Sequence, residues 1–120
     1  MKKELTTRSD IEFLVSRFYE KVRQDDLLAP VFLHVDWAHH TPVIVDFWVS
    51  LLLGDQTYRG NPFQKHVSLR IQREHFGRWL TLFTQTLEEN FTGEKAIEAR
   101  DRAHSIAETF QYKLGLTRNN

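Results

Sequence analysis

The chain contains no cysteine, only three prolines and five glycines, and no excess of charge of either sign. Without cysteine there is no disulfide frame, no thiolate metal site and no thiol nucleophile. Sixteen Lys and Arg balance sixteen Asp and Glu. No net field therefore draws nucleic acid or an anionic membrane, and no basic run follows a phosphate backbone. No apolar run approaches the roughly 18 to 20 residues that a membrane span requires. The first ten residues are polar and lack the apolar centre of a signal peptide. Repeats, low-complexity segments and period-two alternation are missing as well. What remains is the expectation of a soluble, cytoplasmic, all-α protein with neither nucleic acid nor membrane as a partner. Its 120 residues suit one domain, 1–120, with 1–7 and 116–120 as loose termini.

Rings are abundant instead. Aromatic residues make up 12% of the chain and nine are phenylalanine, a heavy load of large flat side chains that must fill or line the interior. From Thr7 onward, Ile11, Leu14, Val15, Phe18, Tyr19 and Val22 recur in steps of three and four, the stripe of an amphipathic helix. Thr7 with Asp10 three residues on resembles a capping start, and "RQDD" ends the pattern. "LLAPVFLHVD", with Pro30 inside it, predicts one or two short turns. A second helix carries Ile44, Phe47, Trp48 and Leu51 on one face and stops at Gly54. Two starts are open to it: Thr41–Pro42 as N-cap and first helical residue, or an earlier start capped by Asp36 that tolerates Pro42. "DQTYRGNP" is turn chemistry. A third helix carries Phe76, Trp79, Leu80, Phe83 and Leu87. After "NFTGEK", a fourth carries Ile97, Ile106, Ala107, Phe110 and Leu114.

Three of these patterns set a hydrogen-bonding group among apolar neighbours: Tyr19 on the first helix, His40 at the head of the second and Trp79 on the third. Together they suit a small polar ligand held in a dry pocket. Singly, Tyr19 and Trp79 read equally as core rings with satisfied tips, and His40 as a surface residue at a helix start. His66, in "NPFQKHVSL", sits on a segment too short for another helix. It is either a histidine at the edge of the core or a neutral imidazole offered to a metal. His75, beside Phe76 in the third helix, is a rival ligand with a solvent-facing role expected. His34, Asp36, His39 and His40 form a separate cluster that invites a non-haem metal site.

"FYEKVRQDDLLAPVF", "FWVSLLLG", "YRGNPFQKH" and "FGRWLTLF" occur in the order and approximate spacing of the signatures of group III truncated haemoglobins, and the chain resembles that family over roughly residues 8–114. The resemblance implies a truncated globin, a two-over-two helical sandwich around haem b. It implies His66 as the proximal iron ligand, with Tyr19, His40 and Trp79 on the distal side. Phe32, Ile44, Phe47 and Trp48 match apolar positions around the ring. Phe63, Val67 and Leu69 would form the proximal wall, and Arg59, Lys65 and Arg70 are candidates to meet the propionates, with solvated surface charge as the plainer reading of each. Many members of the class continue with a Leu-Pro pair after the proximal histidine; here Arg70 follows Leu69, which predicts a more helical exit. The family association is with O2 binding, nitric oxide oxidation and peroxide chemistry rather than transport, with CO as a further ligand and a separate reductase to restore ferrous iron. Two other classes stay open on the residues alone: a haem-free helical ligand-binding or sensor module, and the non-haem metal site named above.

Overall fold

In a computed structural model, the structure describes residues 2–54 and 71–114. Four long helices dominate these residues: α1 (Arg8–Gln24), α2 (Trp37–Leu53), α3 (Arg73–Asn90) and α4 (Glu94–Lys113). Helix α1 packs against both α2 and α3, and α3 packs against α4, so that one helix pair lies upon the other. No described helix is long and apolar enough to cross a membrane.

The start of α1 follows the capping pattern. The backbone N–H of Asp10 donates to Thr7 Oγ1 at 3.2 Å, and the Thr7 N–H donates back to Asp10 Oδ2 at 3.0 Å, which satisfies two N-terminal donors at once. From there Ile11, Leu14, Val15, Phe18, Tyr19 and Val22 are all buried. Asp25 ends the helix and organises the turns beyond it: its Oδ2 accepts from the N–H groups of Leu27 and Leu28 at 3.1 and 3.0 Å. Its Oδ1 receives the Arg78 guanidinium from α3 at 2.6 Å. The same carboxylate thus shapes the turn and ties it to α3.

Of the two starts open to α2, the earlier one is realised. Asp36 is the N-cap, accepting from the His39 N–H at 3.4 Å, and Pro42 lies inside the helix. Proline has no N–H for the Ala38 carbonyl four residues back, and Ala38 is exposed, where water can take that bond. The helix ends at Gly54, whose φ of 75° is the left-handed conformation that glycine adopts without strain.

Two regions depart from the expected pattern. In α4 the buried face is Ala96, Ala99, Ala103, Ala107 and Phe110, whereas Ile97 is 51% exposed. Small side chains let the helix backbone approach its neighbours closely, which a reading weighted by hydrophobicity overlooks. At the N-terminus, within the stretch expected to be loose, Lys3–Glu4 (β1) pairs in parallel with Phe91–Thr92 (β2), and Leu5 is wholly buried. One apolar anchor and a short ladder dock this segment into the joint between α3 and α4. Residues 116–120 lie outside the described residues.

Candidate functional site

The core is solid at one end and hollow at the other. Where α1 approaches its C-terminus a cavity of about 370 Å³ opens, within the usual size range of small-molecule pockets. Its walls come from every helix. Tyr19 is supplied by α1, Phe32 by the turn that Asp25 organises, and His40, Ile44, Phe47 and Trp48 by α2. From α3 comes Trp79, and from α4 come Ile106, Ala107 and Phe110. All seven distal and wall residues singled out in the sequence outside segment 59–70 therefore meet in one place.

Helix α2 divides its apolar residues between two faces. Val45, Val49 and Leu52 are buried in the solid core, while Ile44 and Phe47 line the cavity and Trp48 serves both. The back wall is an aromatic stack. Phe83, fully buried, lies nearly parallel to Trp79 (centroids 5.4 Å, 5°) and to Trp48 (5.0 Å, 20°), while Phe18 meets Phe83 edge-on at 5.1 Å and 87°. Offset and edge-on rings of this kind add to their area burial, and here they fix the orientation of Trp79.

Tyr19 sets a buried hydroxyl at the cavity wall. Burial pushes its hydroxyl up to about 12, while a hydrogen bond from the Trp79 side chain works in the opposite direction. The hydroxyl is therefore a neutral O–H donor at any physiological pH. Because the indole N–H can only donate, it occupies an acceptor position of the phenol and leaves the phenolic proton for another partner. Two side chains expected to act side by side are thus joined to each other.

Trp37, which also lines the cavity, is an aromatic wall residue that the sequence reading did not single out, and His75 is placed differently from the expectation. Trp37 stands three residues before His40 and seven before Ile44, on the same helical face once α2 begins at Asp36. The undecided start hid that spacing. His75 stands four residues before Trp79 and lines the cavity half-buried instead of facing solvent. Its Nδ1 accepts the Gln72 backbone N–H at 2.8 Å. That nitrogen therefore carries no proton, and in the neutral ring the proton sits on Nε2. Serving as a metal ligand would require a change of tautomer at the cost of this bond.

The four residues of the non-haem metal hypothesis do not form one. Among the described residues no group of three or more His, Asp or Glu side chains is placed to hold a metal ion. Asp36 is turned instead to capping α2. His66, Phe63, Val67, Leu69, Arg59, Lys65 and Arg70 lie outside the described residues.

Residues 4–112 match the family model of the bacterial-like globins. Over 125 aligned residues, spanning 96% of this chain and 98% of the relative, the sequence is 37% identical to the group 3 truncated hemoglobin ctb of Campylobacter jejuni. The chain belongs to the bacterial-like globins, as a group III truncated haemoglobin. The crystal structure of the group III truncated hemoglobin from Campylobacter jejuni superposes on it with a TM-score of 0.89 at 35% identity, covering all of both chains. The truncated hemoglobin of Tetrahymena pyriformis shares the fold, with a TM-score of 0.73 at 24% identity over 85% of this chain and 88% of the other. A group 1 truncated hemoglobin, GlbN of Nostoc commune, is 34% identical over 67 residues, 55% of this chain and 57% of its own. The architecture is thus the all-α truncated-globin fold, and this family membership carries haem-based binding of small ligands in general. The cavity suits a flat apolar disc: aromatic and aliphatic walls on several sides, and a buried phenol with an adjoining indole on one of them.

Proposed function

We propose that this truncated haemoglobin would hold haem b in the cavity with His66 as the residue that ligates the iron, and that it would bind O2 tightly enough to react with it rather than to carry it. The observation that carries this reading is the pairing of Tyr19 and Trp79 inside a ring-walled cavity. Haem supplies an iron that binds diatomic molecules and shifts negative charge onto O2. Tyr19 answers that charge with its O–H, in surroundings too dry to weaken the bond. Trp79 braces the phenol by donating to its oxygen, and the Trp48–Phe83–Trp79 stack holds the indole still. His40 lines the same cavity from the first turns of α2 and is a second polar neighbour for the ligand. Phe32, Ile44, Phe47 and Trp48 exclude water. Phe63, Val67 and Leu69 would close the His66 side, with Arg59, Lys65 and Arg70 at the propionate edge.

A hydrogen bond to a charged partner contributes about 1.5–3 kcal/mol. A contribution of that size slows ligand loss by roughly ten- to a hundredfold, which disfavours transport. Nitric oxide oxidation to nitrate fits a ligand held this way and would need an external reductase to restore the ferrous state; polarisation of a peroxide fits as well and would draw its electrons from an external reductant. The test uses the haem-reconstituted protein. Its Soret band should be lost or grossly altered in His66→Gly. In Tyr19→Phe the O2 dissociation rate should rise about tenfold or more. An unchanged rate would remove Tyr19 from the role assigned to it. Adding NO to the O2-loaded protein and measuring nitrate then separates oxidation from mere holding.

A further inference from the structure

Tyr19 is held on two sides. Trp79 meets its hydroxyl, but its ring rests on Trp37, with centroids 4.9 Å apart at 46°. Trp37 also meets Phe32, at 6.1 Å and 42°. As the first residue of α2 it is half-buried and lines the cavity. In that place Trp37 has no preceding helical turn to hold its ring. Its restraint comes from α1: the Arg23 guanidinium lies over the indole, 5.3 Å from the ring centre. The same side chain donates through Nε to the backbone carbonyl of Tyr19 at 3.4 Å. Arg23 is exposed on the outer surface, so one solvated cation is joined to both the backbone of Tyr19 and the indole that supports its ring.

We infer that Trp37 is a positioning residue for the Tyr19 hydroxyl, and that Arg23 clamps Trp37 in place, so that a surface cation sets how firmly the cavity's O–H donor is aimed. The inference rests on the reading of Tyr19 as the donor to a bound ligand. An Arg23–Trp37 pair that merely covered surface would leave the phenol's geometry and motion alone. A clamp would not. Its loss lets the phenol ring turn more freely and lets the O–H sample orientations that miss the ligand.

The experiment compares Arg23→Gln, Arg23→Lys and Trp37→Ala with the parent and with Tyr19→Phe, all reconstituted with haem. In the diamagnetic CO form, the Tyr19 ring-flip rate is read by NMR with labelled tyrosine, and the CO stretching band reports hydrogen bonding to the ligand. Arg23→Gln should speed the ring flip and split or shift the CO band towards that of Tyr19→Phe. It should raise the O2 dissociation rate about two- to fivefold, the scale of an exposed cation–π contact. Arg23→Lys should restore part of each change, and Trp37→Ala should exceed Arg23→Gln in all three. In the Tyr19→Phe background, Arg23→Gln should have no further effect on O2 release, since there is then no hydroxyl to aim. An unaltered flip rate and CO band in Arg23→Gln, or rate effects that multiply independently in the double variant, would overturn the clamp. Because Arg23 is exposed, that variant should fold even if Trp37→Ala does not. If Tyr19→Phe alone leaves O2 release unchanged, the donor reading fails, and the ring-flip rate still decides whether the clamp holds the ring.

Discussion

The two ends of α1 face the same core and meet opposite interiors. At the Asp10 end, Ile11 and Leu14 are wholly buried in the same cluster as Leu5, Phe91 and the alanines of α4. At the Tyr19 end, the same stripe of the same helix looks into a cavity. The polar groups divide accordingly. At the solid end a buried carboxylate, Asp10, spends its oxygens on Lys3, Thr6 and Thr7, so its bonds are all structural. At the hollow end the Tyr19 hydroxyl accepts from Trp79 and keeps a proton to offer. Satisfied polar groups mark where this fold is locked; partly committed ones mark where it can bind.

The largest effect is expected at the seam between the two ends. Phe83 is fully buried and touches Phe18, Trp48 and Trp79. Phe83→Ala should cost about 3–5 kcal/mol, the usual range for a buried phenylalanine, read from urea unfolding. It should also change the near-ultraviolet circular dichroism, since two indoles lose their stacking partner. A loss near 1 kcal/mol would mean that the hollow end already yields around the site, and that the contrast between solid and hollow is less sharp than the packing indicates.

The solid end was the more legible from sequence in its helices and the less legible in its edges. The three-and-four spacing of Ile11 to Val22 and the Thr7–Asp10 signature both lead to the observed α1, because periodicity and capping are local. Leu5 docks through a partner more than eighty residues away, and no local pattern announces a single leucine among polar neighbours. Ile97 was misplaced because hydrophobicity ranks isoleucine above alanine, whereas close helix packing selects the reverse. At the hollow end, Tyr19, His40 and Trp79 were legible as polar groups in apolar settings and gained their meaning from family resemblance. Trp37 was not, because Pro42 left the start of α2 undecided. The orientation of His75 depends on one backbone bond to Gln72 that sequence does not display. The proximal segment around His66 was read only through resemblance.

The next effect tests how the solid end is locked. Burial alone would push the Asp10 carboxyl up, but Lys3, the N–H groups of Thr6 and Thr7 and the Thr7 hydroxyl together outweigh it, and hold the group well below the usual carboxylate range. The folded form is thus the weaker acceptor of a proton. The stability that follows is fully present above the unfolded-state value near 4 and is lost as pH falls through the lower folded value. Asp10→Asn should cost about 1.5–3 kcal/mol at neutral pH, the scale of hydrogen bonds to a charged group. Unfolding measured from pH 7 down to pH 2 should show the parent losing its advantage below about pH 4, so that the two curves approach each other. Curves that stay parallel would show that Asp10 is not the group responsible. Changes in haem affinity should be small, since the lock stands at the far end of α1 from the cavity.

The smallest effect concerns the surface between α1 and α2. Arg8 donates to Asp46 at 2.7 Å, with the two side chains 44% and 31% exposed. A pair in such contact with water contributes about 0.2–1 kcal/mol and fades with salt. Arg8→Ala should therefore shift the urea midpoint only slightly at low ionic strength and not measurably at about 1 M salt. The comparison that matters is with Asp25–Arg78, of similar length at 2.6 Å, whose aspartate is only 9% exposed and also holds the turn that carries Phe32. Breaking that pair from the aspartate side, by Asp25→Ala, should cost clearly more than Arg8→Ala and disturb the cavity as well. Equal costs for the two would mean that length of contact, rather than burial and shared bonds, decides what an ion pair contributes here.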